Sequence, residues 1–441
     1  MDAQLGKLQN TVADVLAEAR KHGASAAEVA ANSDRGLSAT VRLGEVETIE
    51  HTNDNGLGIT VYFGRHKGSA TTADLSPAAV RETLEAACNI ARHTQEDPCA
   101  GLADAGLMPA RVPDLDLYHP WNIGVDGAIE LALACETAAR DSDARITNSE
   151  GATCNTNAGI GVYGNSHGFV AGYPGTRHDL SCAVVGQQGD SMQRDYWYTS
   201  ARCAEDMASA DNVGATAAAR TLEKLQARRI SSREAPVLFR SDVAVGLLRS
   251  FVGAIRGSAL YRKASFLLDQ LDQPLFPEWV HIRENPLLPR GLASAAFDGE
   301  GVVTRARDLV SAGVLRSYVL DSYSACRLNM ESTGNAGGVR NLSIDSGDLD
   351  YTGLLREMDT GLVVTDLMGH GVNAVTGDYS QGAAGFWVEG GVVQFPVEEI
   401  TVAGNLRDMF RQLRAVGTDR DNPGSVRTGS WLIEQMTIAG S

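Results

Sequence analysis

The chain has 441 residues, with 55 acidic against 38 basic side chains and a formal charge of −17. That balance repels nucleic-acid phosphate and anionic lipid, and no basic block offsets it, so nucleic-acid and membrane-surface binding are disfavoured. Apolar residues make up 43% and charged residues 21%, as in a soluble globular chain, and at roughly 150 residues per domain the length suggests two or three domains.

Leu5, Leu8, Val12, Val15, Leu16 and Ala19 recur at helical spacing and predict an amphipathic helix over residues 3–22, ended by Gly23. Apolar and polar residues then alternate, which predicts a meander with hairpin turns at Gly44 and at Asn55-Gly56. Ser76-Pro77 starts a helix that runs to His93 and completes a helix-sheet-helix unit over residues 1–95. Residues 96–122, rich in Pro, Asp and Gly without a period, read as a connection.

A second unit, residues 123–234, opens with a helix from Asp126 to Arg140. Strand patterns from Ile146 to Cys203 predict a second antiparallel sheet, and an Ala-rich helix from Ala204 to Arg228 closes it. Residues 235–441 hold the strand PVLF, a helix and many Gly-bounded strands. The fold class is therefore α+β: helix-flanked antiparallel sheets, with an N-terminal α/β unit followed by a large β-rich C-terminal domain.

Seven cysteines, Cys88, Cys99, Cys135, Cys154, Cys182, Cys203 and Cys326, include no CxxC pair. They suggest neither a zinc knuckle nor a disulfide framework, and read as small buried hydrophobes in a reducing compartment. The N-terminus lacks a basic region followed by an apolar run, and about 18 consecutive apolar residues occur nowhere. A cytoplasmic location is expected.

Two motifs in the middle unit lack their context. Gly159 to Gly164 matches GxGxxG, but a strand follows where dinucleotide binding needs a helix N-terminus. Gly164 to Gly168 matches GxSxG, again without the strand-turn-helix of a nucleophile elbow. Both read as one hairpin turn. No two of the nine histidines have the i, i+4 spacing of a helical zinc site; His167 and His178 are expected on neighbouring strands. No P-loop sequence is present.

The segment Leu247 to Phe266, LLRSFVGAIRGSALYRKASF, has the pattern of a buried helix but carries no carboxylate, histidine or cysteine. Ser241 is a good N-cap, Asp242 suits the first turn, and Ala244, Leu247, Leu248, Phe251, Val252, Ile255 and Ala259 share an apolar face. Arg249 and Arg256 lie opposite, as a solvated edge or within reach of an acidic partner or a peptide carboxylate.

Five blocks of the last third are the most specific feature: STGNAGG from Ser332 to Gly338, DLMGHGV from Asp366 to Val372, TGDYS from Thr376 to Ser380, GAAGFWVE from Gly382 to Glu389 and VEEITVAGNLRDMF from Val397 to Phe410. With them the whole chain resembles the TldD/PmbA family of metallopeptidases, also called the modulator of DNA gyrase family, and within it the PmbA/TldE branch. In the catalytic branch, TldD, a helix carries HExxxH, and a cysteine near the C-terminus is a further zinc ligand. The matching positions here are Arg249 for the first histidine, Ser250 for the glutamate and Ala254 for the second histidine, and no cysteine follows Cys326. A guanidinium cannot ligate zinc, a serine is a poor general base and a methyl group donates nothing.

The resemblance therefore implies a chain with no catalytic residue, metal or cofactor of its own. It implies a heterodimer with a TldD-like sister subunit that carries the zinc, and a shared cavity for peptides or unfolded protein. Main-chain pairing at strand edges suits such substrates. Thr333, Gly334, Asn335, Asp366, His370 and Gly371 are the candidate peptide or partner contacts. Two other readings stay open: a self-contained hydrolase around Ser166, His167 and His178, and a homodimeric protein-binding adaptor.

Overall fold

The computed structural model describes residues 1–421 and 423–440. Asn422 and Ser441, within the expected 235–441 domain, lie outside the described residues. The N-terminal part is α1 (Asp2–Lys21), β1 (Ala26–Arg42), β2 (Glu45–Phe63), β3 (His66–Thr72) and α2 (Pro77–His93). Gly23, at φ +87°, turns the chain out of α1, and Ser76 caps α2 by accepting from the Ala79 N–H. After the connection come α3 (Gly124–Arg140), β4 (Ile146–Asn165), β5 (Val170–Gln188), β6 (Ser191–Ala201) and α4 (Ala210–Glu223).

One sheet serves both units, in the order β3-β2-β1-β4-β5-β6, because β1 pairs antiparallel with β4 from Glu28↔Asn165 to Val41↔Ala152. The expected second sheet is thus a continuation of the first. Burial follows the two-residue period: Ala27, Val29, Ala31, Ala39 and Val41 of β1 share a face with Ile160, Val162, Ala152 and Cys154 of β4. Helices α1 and α2 cover one end of that face, and α3 and α4 cover the other.

The hairpin turn expected at Asn55-Gly56 is not formed there. Strand β2 runs through both residues, and the chain turns at Gly64, φ +63°. Gly56 sits in the strand opposite Asn32, whose exposed side-chain oxygen would lie 2.3 Å from a Cβ placed there. The closing helix is shorter than expected, since Ser209 caps α4 only at Ala210 and a 3-10 turn, Ala204–Asp206, precedes it.

The C-terminal part comprises β7 (Arg233–Phe239), α5 (Ser241–Ala254), α6 (Gly257–Tyr261), β8 (Ile282–Glu284), β9 (Arg307–Ser311), β10 (Val314–Leu315), α7 (Ser322–Leu328), β11 (Leu342–Ile344), α8 (Tyr351–Met358), β12 (Gly361–Met368), β13 (Asp378–Glu389), β14 (Val392–Asn405), α9 (Leu406–Arg411), β15 (Leu413–Val416), β16 (Val426–Arg427) and β17 (Trp431–Ala439). Its larger sheet has the order β14-β13-β12-β7-β17-β15, and β14 also pairs with β17, which closes the sheet on itself. Most pairs are antiparallel; β12 with β7 and β11 with β16 are parallel. The largest core cluster of the molecule fills this domain and includes Phe239, Leu247, Leu248, Phe251, Phe410 and Trp431.

A second correction concerns the cysteines. Cys99 in the connection and Cys326 in α7 form a disulfide, with Cα atoms 5.6 Å apart across 227 residues of sequence. The tertiary fold brings them together, and Tyr323 donates to the Asp97 carboxylate at 2.8 Å beside the bridge. Cys88, Cys135, Cys154 and Cys182 are free and buried, as expected of small hydrophobes, and Cys203 is free and half-buried. No helix among the described residues is long and apolar enough to cross a membrane.

Candidate functional site

Helix α5 carries the candidate positions Arg249, Ser250 and Ala254. Its inward face is as the sequence suggests: Ala244, Leu247, Leu248, Phe251 and Val252 are buried, and the Phe251 ring meets those of Phe276 and Phe410 edge-on, with centroids 5.5 and 6.0 Å away. Ser241 is the first helical residue rather than the cap. Arg240 holds the N-cap position without a side-chain cap bond, and Asp242 accepts from the Val243 N–H.

The helix also stops short of Phe266. Ile255 and Arg256 leave it because their backbone pairs with a neighbouring segment: Val319 N–H donates to Ile255 O at 3.0 Å, and Gly257 N–H donates to Val319 O at 2.9 Å. Gly257 permits that approach, since a Cβ there would lie 2.2 Å from Ser324 Oγ. Arg256 sits at this break, so it does not continue the helical face of Arg249, and Leu260 rather than Ala259 carries the buried contact of α6.

Arg249 is exposed, Ser250 is half-buried with its hydroxyl donating to Gly246 O at 2.9 Å, and Ala254 is 2% exposed in the core. Positions five residues apart on an α-helix point about 140° from each other. Arg249 and Ala254 accordingly face solvent and core, and neither they nor Ser250 offers a ligand to zinc. Among the described residues no three His, Cys, Asp or Glu side chains gather as a metal-binding group. The side chains of Arg249, Ser250 and Ala254 do not fit a bound zinc ion.

A charged network anchors this face to the middle unit. Lys224, the residue after α4, reaches both Asp195 of β6 and Asp366 of β12 at 2.7 Å. One turn earlier, Arg220 binds Asp195 at 3.1 Å and Asp242 of α5 at 2.7 Å, and Arg240 joins Asp242 to Glu223. Burial opposes the ionisation of Asp242, but the Arg240 and Arg220 guanidiniums outweigh it and hold the carboxyl below its ordinary range. Asp366 is thus an ion-paired wall of a cleft of about 340 Å³ that Gln193, Arg194 and Glu398 also line. On the other side of the network, Tyr196, Trp197, Tyr198, Arg220, Asp242 and Arg249 surround a smaller cleft of about 150 Å³.

The other candidate contacts fall into two groups. Thr333 and Asn335 face inward: Thr333 Oγ1 accepts from Leu320 N–H at 2.7 Å, and the 4%-exposed Asn335 donates its amide to both oxygens of Glu284. Gly334, at φ +69°, makes the turn between them. His370 and Gly371 lie in the turn after β12, with His370 exposed; a Cβ on Gly371 would collide with Ser380 O.

Ser166, His167 and His178 do not come together. Ser166 Oγ accepts from Ala27 N–H, His167 Nε2 lies 3.1 Å from Ala103 O, and the fully buried His178 sits between Thr156 Oγ1 and His119 O, each 2.9 Å away. His167 is in a turn, not on a strand, and Gly159 to Gly164 lie inside β4 rather than at a turn. A cavity of about 790 Å³ lies elsewhere, between the N-terminal sheet and the C-terminal domain. Tyr62 and Tyr163 both donate to Glu28 there at 2.9 Å, and burial pushes the facing Glu300 carboxyl above its ordinary range. Neither this cavity nor the Lys224 network is signalled in the sequence, because each joins residues more than a hundred positions apart.

Family models match three consecutive parts of the chain: PmbA/TldA metallopeptidase domain 1 at residues 27–91, the central domain at 118–225 and the C-terminal domain at 232–440. The frame is therefore that of a metallopeptidase-type chain. The chain belongs to the PmbA/TldD metallopeptidase family. The metalloprotease PmbA of Escherichia coli O157:H7 is 49% identical over 440 residues, covering 100% of this chain and 98% of that protein. The PmbA homologue of Haemophilus influenzae is 48% identical over 444 residues, with the same coverage. A solved modulator of DNA gyrase from Bacteroides thetaiotaomicron superposes with a TM-score of 0.93 at 28% identity, over 98% of both chains. TldE from Thermococcus kodakarensis, 21% identical, shares the fold with a TM-score of 0.85 over 98% of this chain and 100% of its own.

Proposed function

We propose that this chain is the non-catalytic subunit of a two-chain zinc metallopeptidase that cleaves peptides and unfolded protein in the cytoplasm. A TldD-like sister subunit supplies the zinc and the activated water, and this chain walls the shared cavity. One observation carries the reading: Arg249, Ser250 and Ala254 occupy the three motif positions on an otherwise well-packed helix, and none can bind metal or move a proton for hydrolysis. Cys326 is bound to Cys99, and no later cysteine exists to act as the further ligand.

Within this reading, His370 and the Asp366 wall are the contacts open to a peptide or to the sister chain. Thr333, Gly334 and Asn335 act by shaping the loop behind them. Closure of the C-terminal sheet leaves it little free edge, so the outer edge of β6 is the better place for main-chain pairing with an extended peptide.

Gel filtration of the two chains, separately and mixed, with zinc measured in every fraction, tests the reading. The expected result is co-elution, with zinc following the sister chain alone. Zinc in stoichiometric amount on this chain by itself, or failure of the two to co-elute, would overturn it.

A further inference from the structure

We propose that the cleft beside Arg249 binds the C-terminal carboxylate of a peptide, so that the replacement of a metal ligand has left an anchoring subsite. The inference deepens the subunit reading and rests on it for the class of ligand.

Charge is the first argument. Of the charged groups lining the cleft, Arg220 is taken up by Asp195 and Asp242, and Asp242 also receives Arg240. Arg249 alone makes no hydrogen bond or ion pair among the described residues. Arg249 is therefore a cation of the lining without a counter-ion, on a chain whose total is −17. A guanidinium presents a planar fork that matches a carboxylate with two parallel N–H bonds, which an ammonium cannot do.

Shape and polarity narrow the ligand further. Tyr196 and Tyr198 stack with centroids 6.3 Å apart along one wall, and Tyr196 is 51% exposed, an unusual cost for a ring with no occupant beside it. The Arg220 guanidinium lies 4.9 Å from the centre of the Trp197 ring and packs against that wall. Val245, 8% exposed, also lines the cleft. A volume of about 150 Å³ suits one terminal residue rather than a folded partner. A carboxylate on an apolar or aromatic residue meets each of these features.

The approach is also provided. Strand β6 ends its sheet, so its outer edge pairs with no strand among the described residues, and it leads from the Asp366 cleft to the Arg249 cleft. An extended chain lying along it would end at Arg249. The subsite would hold the peptide by its terminus, independent of sequence elsewhere, which suits a protease that takes unfolded chains.

The test titrates a fluorescent unstructured peptide ending in Phe, as the free acid and as the C-terminal amide, against the full chain alone. The wild-type chain should bind the acid about tenfold more tightly than the amide, as expected of a hydrogen-bonded charge pair. Arg249→Ala should remove that preference, and Arg249→Lys should keep part of it. Arg249→Gln, closer in length, serves if R249A fails to fold. Equal binding of acid and amide, binding of neither, or a preference that survives R249A would overturn the proposal. The titration needs no sister chain, so its failure is distinguishable from failure of the subunit reading.

Discussion

The two faces of α5 share one backbone and differ in chemistry. Inward, Phe251 is fully buried among Phe276, Phe410 and the rest of the C-terminal core. Outward, Arg249 and Ser250 meet solvent and a shallow cleft. Packing that positions a helix at a site is thus separable from the side chains that react there: loss of reactive groups costs little stability, so the frame survives them.

The contrast is sharpest in mutation. Phe251→Ala should destabilise the protein by about 3–5 kcal/mol in urea unfolding, the range for a buried aromatic lost from a packed core. A loss below about 1 kcal/mol, the scale of an average substitution, would break the comparison. The start of the helix comes next, through pH. Asp242 has a folded pKa below its ordinary 3.8, so its contribution is present above that value and is lost as pH falls through the folded pKa. The stability gap between wild type and Asp242→Asn should therefore be widest near neutrality and shrink in acid; a gap constant with pH would contradict the network. Arg249→Ala should be the smallest effect, within about 0.5 kcal/mol by thermal melting, as for a surface side chain without partners.

Much of this frame is legible in the sequence, because it rests on local signals. Ser76-Pro77 marks the start of α2, Gly23 the end of α1, and the 3.6-residue spacing from Ala244 to Val252 picks out the buried face of α5. What escapes is set by distant contacts. Pairing of β1 with β4 merges two sheets, a bridge to Val319 stops α5 at Ala254, and β2 continues through Asn55-Gly56 in register with β1. The disulfide belongs to the same group, since spacing in the chain says nothing about Cys99 meeting Cys326. Thiol counting after unfolding without reductant should find five reactive cysteines, Cys88, Cys135, Cys154, Cys182 and Cys203; seven would contradict the bridge.

At the candidate site, the sequence shows which chemistry is missing more readily than what replaces it. Arg249, Ser250 and Ala254 are singled out only through the family resemblance. The Tyr196 and Tyr198 wall and the Lys224 link between Asp195 and Asp366 are not, because β6, α4 and β12 meet only in the folded chain.

The most direct measurement is peptidase activity on an unfolded peptide for this chain alone, for its TldD-like sister alone and for the two mixed. The subunit reading predicts no activity from this chain and chelator-sensitive cleavage that is full only in the mixture. Chelator-sensitive cleavage by this chain alone would contradict it.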